Sequence, residues 1–465
     1  MLSPGRSGLF DGLFGRGEVA VGDNDWLQAM LDTEAALARA LESARLVPAG
    51  AGAAVTDAAQ ASEFDVAELG RQAALTGNPV PALVRALTEC VPAEARQAVH
   101  RGATSQDIID TAMMLLARRA IEVIVTDLAA AADRAAALAE QHAGTVMAGR
   151  TLLQQAVPVT FGLVAAGWLT SIDDARADLD RVRAGLAVQF GGAAGTLASL
   201  GEAGPVVVAL LAAELGLAEP VLAWHTDRLR IIQLSAALAG ACAVLGKVAR
   251  DVTLLAQTEV AEVAEGSGEA GRGGSSAMPH KRNPVASVVI LGCTKRAPGL
   301  LATLATAAEQ ELQRAAGAWH AEWETLADLL RLTGSAASWA VELLSSLRID
   351  ADRMRTNLDA ARGLPMAENV AAMLAPTLGP VAAHDLVSAA AGEAARQGIA
   401  LPDALLADES AAAALAMAGV GRVELESAAR PENYLGASAT FVQRALTAHR
   451  RHADDQPGRS PAHDR

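Results

Sequence analysis

Two segments of the chain repeat apolar residues with a strict seven-residue spacing, and this pattern restricts the possible folds more than any other feature. The repeated positions are Met114, Ala117, Ile121, Ile124, Leu128, Ala131, Ala135 and Leu138 in the first segment, and Ile231, Leu234, Leu238, Ala241, Leu245, Val248, Val252 and Leu255 in the second. Steps that alternate between three and four residues place these side chains along one side of an α-helix, and such seams pack long helices at shallow angles. The repeats therefore predict a bundle of long helices.

The composition agrees with a helical fold. Hydrophobic residues make up 51 % of the chain but aromatic residues only 3 %, and the abundant alanine, leucine, glutamate and arginine all favour helices. Valines lack the alternating polar neighbours that predict a half-buried strand. We predict an all-α fold with an N-terminal helical domain over 1–110, a central long-helix bundle over 111–348, a C-terminal helical domain over 349–448 and a disordered tail over 449–465.

Charge and cysteine usage exclude several classes of protein. A formal net charge of −15 argues against a nucleic-acid partner, which requires a basic surface. The three cysteines, Cys90, Cys242 and Cys293, lie far apart among apolar neighbours and predict reduced core thiols. We find no metal-ligand spacing, no signal peptide and no apolar segment that predicts a membrane span. The chain is predicted to be soluble and cytoplasmic, without a metal or a membrane partner.

Two polar segments that interrupt the helical texture are candidates for a site. In the first, over 100–112, Thr104, Ser105 and Asp107 precede a long helix, whose N-terminus can hold an anion. A plain helix cap is the alternative. In the second, over 148–162, Arg150 stands among apolar residues and Pro158 is predicted to open the next helix. An ordinary connection between two helices is the alternative.

The third candidate segment is GRGGSSAMPHKRNP, over 271–284. Its glycines make the loop pliable, Ser275 and Ser276 supply hydroxyl groups, and Asn283 followed by Pro284 is typical of a helix start. A phosphate-binding loop is excluded because there is no G-K-[ST] and no preceding strand. A solvent-exposed linker remains the alternative to a mobile catalytic loop.

These segments carry a family resemblance. GSSAMPHKRNP resembles the GSSxMPxKxNP signature of the fumarase/aspartase superfamily, and the two earlier segments match its remaining regions in the same order, so the resemblance covers nearly the whole chain. Within the superfamily the chain is most similar to the bacterial 3-carboxy-cis,cis-muconate cycloisomerases. Stretches that carry this similarity are FDGLFGRGEVA, HRGATSQDIIDT, TLLQQAVP, WHTDR, RAAGAWHAEWETL and ENYLGASATFVQRAL.

Two alternatives stay open. Adenylosuccinate lyases also resemble the chain, but they normally carry T-H-L-Q in the second segment, where Leu152 replaces the histidine that transfers a proton. This difference favours the cycloisomerase. A non-catalytic protein related to the lens crystallins of the same superfamily is the other alternative, and the intact Ser275, Lys281 and Asn283 argue against it.

The resemblance implies a cofactor-free enzyme whose substrate is a small tricarboxylate. Enzymes of this superfamily add or eliminate a group across a carbon–carbon bond that lies beside a carboxylate. By motif match, Ser275 transfers a proton, while Lys281 and Asn283 organise the loop and meet the reacting carboxylate. The same match implies substrate-binding roles for Thr104, Ser105, Thr151, Gln154, Arg150, Arg101, His100, His225 and His280. For the histidines, structural hydrogen bonds are the alternative role. The resemblance also implies a homotetramer whose sites are shared between subunits.

Overall fold

The computed structural model describes residues 8–266, 273–274, 278 and 280–454. Within these residues α-helices dominate, which confirms the predicted all-α class. The helices are α1 (Asp11–Phe14), α2 (Asp23–Ser43), α3 (Ala51–Ala58), α4 (Val66–Thr76), α5 (Val80–Cys90), α6 (Ser105–Gln141), α7 (Phe161–Ala184), α8 (Gly204–Leu215), α9 (Leu229–Leu255), α10 (Val285–Thr306), α11 (Trp323–Ser346), α12 (Ala351–Asp359), α13 (Ala367–Leu378), α14 (Pro380–Gln397), α15 (Leu401–Ala407), α16 (Glu409–Met417), α17 (Arg422–Ala428) and α18 (Ser438–Asp454).

Both heptad repeats lie in long helices. The first is in α6, which extends over 37 residues because no glycine or proline interrupts it. The second is in α9, which extends over 27 residues. Repeat positions such as Ile121, Leu128, Leu234 and Leu245 are fully buried. The seams identified in the sequence therefore face the core.

Four short strands, which composition did not predict, form two antiparallel pairs. They are β1 (Val146–Thr151) with β2 (Gln154–Thr160), and β3 (Val263–Glu265) with β4 (Leu347–Ile349). The first pair is a hairpin in which Thr151 lies opposite Gln154. Pro158 lies inside β2, opposite Ala148, so the prediction that it opens a helix is wrong, and α7 begins at Phe161.

The described chain divides into two compact units, each assembled from three separated segments. The first comprises Met1–Ala130, Asp174–Ala249 and Ala286–Glu342. The second comprises Ala131–Asp173, Arg250–Val285 and Leu343–Arg465. The division into three consecutive domains stays a prediction.

The cysteines and the apolar helices differ in part from expectation. Cys242 and Cys293 are buried free thiols, and burial raises the pKa of Cys242 to about 12 and that of Cys293 to about 11. Cys90, however, is exposed, so it is not a core thiol. By length and composition alone, α9 and α10 could each cross a membrane, whereas the sequence analysis predicted no membrane span. This is weak evidence for a span, because half of α9 is buried inside the protein and core helices pass the same test.

The C-terminal helix α18 is held to the second unit by a buried histidine. His449 Nδ1 lies 2.8 Å from Oδ2 of Asp173 in α7, and its Nε2 lies 3.1 Å from Oδ1 of Asp133 in α6. The hydrogen bond to Asp173, with a further contribution from Asp133, raises the pKa of His449. Because α18 continues to Asp454, the predicted tail is wrong over 449–454, while 455–465 lie outside the described residues.

We expect His449→Ala to lower the free energy of unfolding by about 1–2 kcal/mol near pH 6, where the protonated ring donates to both carboxylates. A folded-state pKa above the unfolded one gives stability that is complete below the unfolded value and is lost as the pH rises through the folded value. The difference between wild type and variant should therefore shrink towards about pH 9. Urea unfolding across this range measures it, with the exposed His452→Ala on the same helix as control. A difference that does not change with pH would contradict the charged clamp.

Candidate functional site

The first turn of α6 is the centre of a buried polar cluster in the first unit. Asp107 accepts backbone N–H groups from Thr104 at 3.0 Å, Gly191 at 3.0 Å and Gly192 at 2.9 Å. His225 Nε2 lies 2.7 Å from the same carboxylate. Asp107 thus joins the helix start, a glycine loop and the WHTDR segment at one point.

Two glycines of that loop are required by close packing. A Cβ on Gly191 would lie 2.5 Å from the Cβ of Ala223 and 2.9 Å from the ring of His225. Gly192 has a φ of +67°, a conformation that favours glycine, and a Cβ there would meet the carbonyl of Gly102 at 2.9 Å. The glycines at 191–192 let the backbone reach Asp107.

One turn further along α6, Asp110 anchors a second buried contact. It receives two hydrogen bonds from Arg228, at 2.8 and 3.0 Å, and one from the indole N–H of Trp319 at 2.9 Å. Arg228 also donates to Glu322, and the side chains of Arg228, Asp110 and Glu322 are completely buried. Burial raises the pKa of Glu322 to about 7, although Arg228 opposes this shift.

Gln106 connects the cluster to a loop between α10 and α11. Its amide donates to the carbonyl of His225 at 2.8 Å and accepts from Arg314 at 2.8 Å. Arg314 also donates to the carbonyl of Ala193 at 2.9 Å. Sequence reasoning assigned no role to Gln106, Asp110, Arg228 or Glu322. The available signal was Asp110, which lies four residues before Met114 and so continues the heptad seam of α6.

Thr104 and Ser105, predicted to bind an anion, lie at the start of α6 and are half-buried. Within the described residues neither hydroxyl group makes a hydrogen bond. Since the four leading N–H groups of a helix and its dipole favour an anion, these hydroxyls extend a suitable site. Asp107 accepts the N–H of Thr104, the residue before the helix, and not an N–H group of the first turn.

Two other predicted residues of this segment are already engaged. His100 Nδ1 lies 2.7 Å from Oε1 of the buried Glu34, and its backbone N–H donates to the same carboxylate at 2.9 Å. Burial lowers the pKa of His100, but the hydrogen bond and charge of Glu34 outweigh this and raise it overall. Arg101 donates to the carbonyl of Leu46 at 2.6 Å.

The second unit holds the residues predicted from the second segment. Arg150 in β1 makes a double hydrogen bond to the fully buried Glu262, at 2.8 and 2.6 Å, and Glu262 also accepts from Asn357 at 2.9 Å. The charge of Arg150 is therefore matched within the chain. Thr151 and Gln154 are exposed and close the hairpin opposite one another.

The tip of this hairpin exposes two leucines in a strained conformation. Leu152 is 97 % exposed with a φ of +52°, and Leu153 is 70 % exposed with a φ of +63°. Residues other than glycine rarely adopt a positive φ, and two-residue hairpin turns with two positive φ values prefer asparagine and glycine. The leucines gain no burial here within the chain, so local folding alone does not account for them.

The third segment belongs to the second unit and closes at its base. Asn283 N–H donates to the carbonyl of Gly273 at 2.7 Å, and Gly274 pairs with Arg282 as an isolated bridge. His280 and Lys281 are exposed, and Asn283 is half-buried, two residues before α10 begins. Ser275 lies outside the described residues. No group of metal-binding side chains occurs in the part of the chain that the structure describes.

Comparison with known proteins gives two family matches. The model of a family described as lyase matches residues 20–299, and that of the adenylosuccinate lyase C-terminus matches residues 363–445. The 3-carboxy-cis,cis-muconate cycloisomerase of Bradyrhizobium diazoefficiens is 47 % identical over 431 residues, which cover 92 % of this chain and 94 % of that protein. The nitrosuccinate lyase of Streptomyces davaonensis is 46 % identical over 457 residues, 96 % of this chain and 94 % of that protein.

Solved structures agree with these relatives. The 3-carboxy-cis,cis-muconate lactonizing enzyme from Pseudomonas putida superimposes with a TM-score of 0.87 at 41 % sequence identity. The match covers 96 % of this chain and 99 % of that one. The similarity therefore extends from end to end in both sequence and fold.

Replacing Arg228 by methionine leaves Asp110 and Glu322 buried without their cation, so we expect a loss of about 3–5 kcal/mol in the free energy of unfolding. Urea unfolding measures it, with the exposed Arg181→Met of α7 as control, for which the change is about 0.5 kcal/mol or less. If Arg228→Met does not fold, Arg228→Lys keeps the charge but loses the paired geometry and should fall between. A loss no larger than that of the control would contradict a structural role for the Asp110–Arg228–Glu322 cluster.

Proposed function

The chain belongs to the lyase family whose model matches residues 20–299, and from this membership we propose that it interconverts 3-carboxy-cis,cis-muconate and 4-carboxymuconolactone. The observation that carries this function is the end-to-end similarity to cycloisomerases, at 47 % sequence identity in one relative and a TM-score of 0.87 in a solved structure. Adenylosuccinate lyase is not favoured, because only residues 363–445 match a model bearing that name.

The reaction closes a ring without adding or removing atoms. A carboxylate oxygen of the substrate forms a carbon–oxygen bond to one alkene carbon, and the π electrons move to the adjacent carbon. The neighbouring carboxylate holds these electrons as an aci-carboxylate until a proton reaches that carbon. A site for this reaction needs a proton donor and fixed hydrogen-bond donors around the carboxylate that accumulates charge.

We assign the proton transfer to Ser275 by motif match. Lys281 lies in the same loop, exposed, and pairs with no other described residue, so its charge is available to a substrate carboxylate. Asn283 secures the base of the loop through its bond to Gly273. Thr104 and Ser105, whose hydroxyl groups bond to none of the described residues, supply these groups at a helix N-terminus for a second carboxylate.

The other predicted cations have a supporting role. Arg150 is matched by Glu262, and Arg101 is bonded to a backbone carbonyl, so each positions its segment and retains spare N–H donors. Likewise, His225 is bonded to Asp107 and His100 to Glu34. The exposed His280 remains a candidate for direct substrate contact.

We further propose that the sites are shared between subunits of a homotetramer. The strained and exposed Leu152 and Leu153 support this arrangement, since contact with another copy would bury them. Such an assembly would bring the hairpin tip, the 273–284 loop and the start of α6 from different chains to one site. If the protein sediments as a monomer and this monomer turns over substrate, the sites are not shared between subunits.

The setting of the reaction is proposed from charge and thiol chemistry. The formal net charge of −15 supports a function without nucleic acid, and the free thiols Cys242 and Cys293 support a reducing cytoplasm. We propose neither a membrane partner nor a cofactor, because the reaction transfers only a proton and an intramolecular carboxylate.

A second candidate is elimination from nitrosuccinate, since the Streptomyces relative of that name is 46 % identical over 96 % of the chain. Both reactions use an α-proton and a charge-stabilised carboxylate, so the same motif residues serve either. The candidates differ in the leaving group, which is part of the substrate in one reaction and a separate anion in the other.

Ultraviolet spectroscopy distinguishes them. With 3-carboxy-cis,cis-muconate we expect loss of the conjugated-diene absorbance as the lactone forms, because ring closure removes one double bond. Parallel reactions contain nitrosuccinate and adenylosuccinate. An unchanged diene spectrum together with consumption of nitrosuccinate would favour the second candidate over the proposed function. Consumption of adenylosuccinate would show that Leu152 does not exclude adenylosuccinate lyase activity.

For Ser275→Ala we expect kcat to fall by about 10²- to 10⁴-fold, the usual contribution of general acid–base catalysis, with a smaller change in KM. Ser276→Ala, which removes the adjacent hydroxyl group, is the matched comparison and should lose less. Stopped-flow measurement of the diene signal gives both constants. Near-normal turnover by Ser275→Ala, or a greater loss in Ser276→Ala, would remove the assignment.

A further inference from the structure

A cavity of about 320 Å³ opens in the first unit between the starts of α2, α5 and α11 and the side of α6. Two indole rings, those of Trp26 and Trp323, form part of its wall, and the apolar Met30, Ile109 and Pro79 complete much of the rest. The volume is at the lower end of the range of small-molecule sites. No residue of the predicted substrate site lines this cavity.

The aromatic wall is held from behind. The ring of Trp323 lies 4.8 Å from that of Trp319 at nearly a right angle and 4.6 Å from that of His320. Trp319 is in turn fixed by its hydrogen bond to Asp110, and His320 Nε2 lies 3.0 Å from the carbonyl of Gly77. Trp323 therefore presents a preorganised surface.

The rim of the cavity is acidic. Asp23 in the first turn of α2 and Glu324 in the first turn of α11 line it, and neither side chain has a partner among the described residues. Asp328 also lines it but is paired with Arg296 and Arg331. First-turn acids stabilise their helices, but that effect does not require two of them to meet two indole rings at one cavity.

From this combination we propose that the cavity binds a small organic cation, an ammonium compound of about choline size. The cation lies against the indole faces, which attract positive charge, and near the Asp23 and Glu324 carboxylates. The site is separate from the proposed reaction, because these carboxylates repel a tricarboxylate.

The experiment is isothermal titration of the full chain with choline chloride at matched ionic strength. The probe for comparison is 3,3-dimethylbutan-1-ol, the uncharged isostere. We expect saturable choline binding, with the uncharged isostere at least about 10-fold weaker because the cation–π and charge contributions are lost. The Trp323→Phe variant should bind choline about 2- to 5-fold more weakly, because a phenyl ring attracts a cation less strongly than an indole.

Variants locate the site. The double variant Asp23→Asn and Glu324→Gln should weaken choline binding about 10-fold or more without changing turnover of the diene substrate. Glu409→Gln, an exposed carboxylate in the first turn of α16, is the matched control and should bind as wild type does. Absence of saturable binding, equal binding of the uncharged isostere, or undiminished binding by the double variant would each overturn the proposal.

Discussion

The buried carboxylate of Asp107 at the start of α6 is the contact on which the first unit depends. It collects N–H groups from the helix start and from a glycine loop, together with an imidazole from the WHTDR segment. One turn later Asp110 does the same for Arg228 and Trp319. The glycine loop, the WHTDR segment and Trp319 lie about 80 to 210 residues from these carboxylates in the chain. The first two turns of α6 therefore hold together segments that are distant in the sequence.

The start of α6 satisfies only part of the plain-cap interpretation. Asp107 lies three residues after Thr104 and accepts its N–H, which is one half of a capping box. The other half is a bond from the first turn of the helix to the Thr104 hydroxyl, and among the described residues neither that hydroxyl nor the one of Ser105 makes a hydrogen bond. The functional interpretation therefore falls on Thr104 and Ser105.

The helices of the site could be predicted from the sequence, but its pairings could not. The heptad positions repeat locally, so α6 and α9 were accessible to periodicity. Arg150 and Glu262 are 112 residues apart, and nothing local indicates that they pair, so Arg150 was assigned only to substrate binding. Pro158 was misread because its fixed φ suits a first helical turn and a strand alike. Leu152 and Leu153 lack the asparagine and glycine that signal a two-residue hairpin turn. His449, like Arg150, pairs with residues distant in the chain, Asp133 and Asp173, and it was therefore assigned to a tail.

Charge then decides how a tricarboxylate can be held by an acidic chain. Arg228 is neutralised by Asp110 and Glu322, and Arg150 by Glu262, so the buried cations serve the fold. Among the predicted site residues that the structure describes, those still able to meet the substrate are His280 and Lys281 on an exposed loop, the hydroxyl groups at the start of α6 and spare donors on Arg101 and Arg150. Each of these groups alone offsets only part of the charge of three carboxylates, which is the physical reason for proposing a site built from more than one copy of the chain.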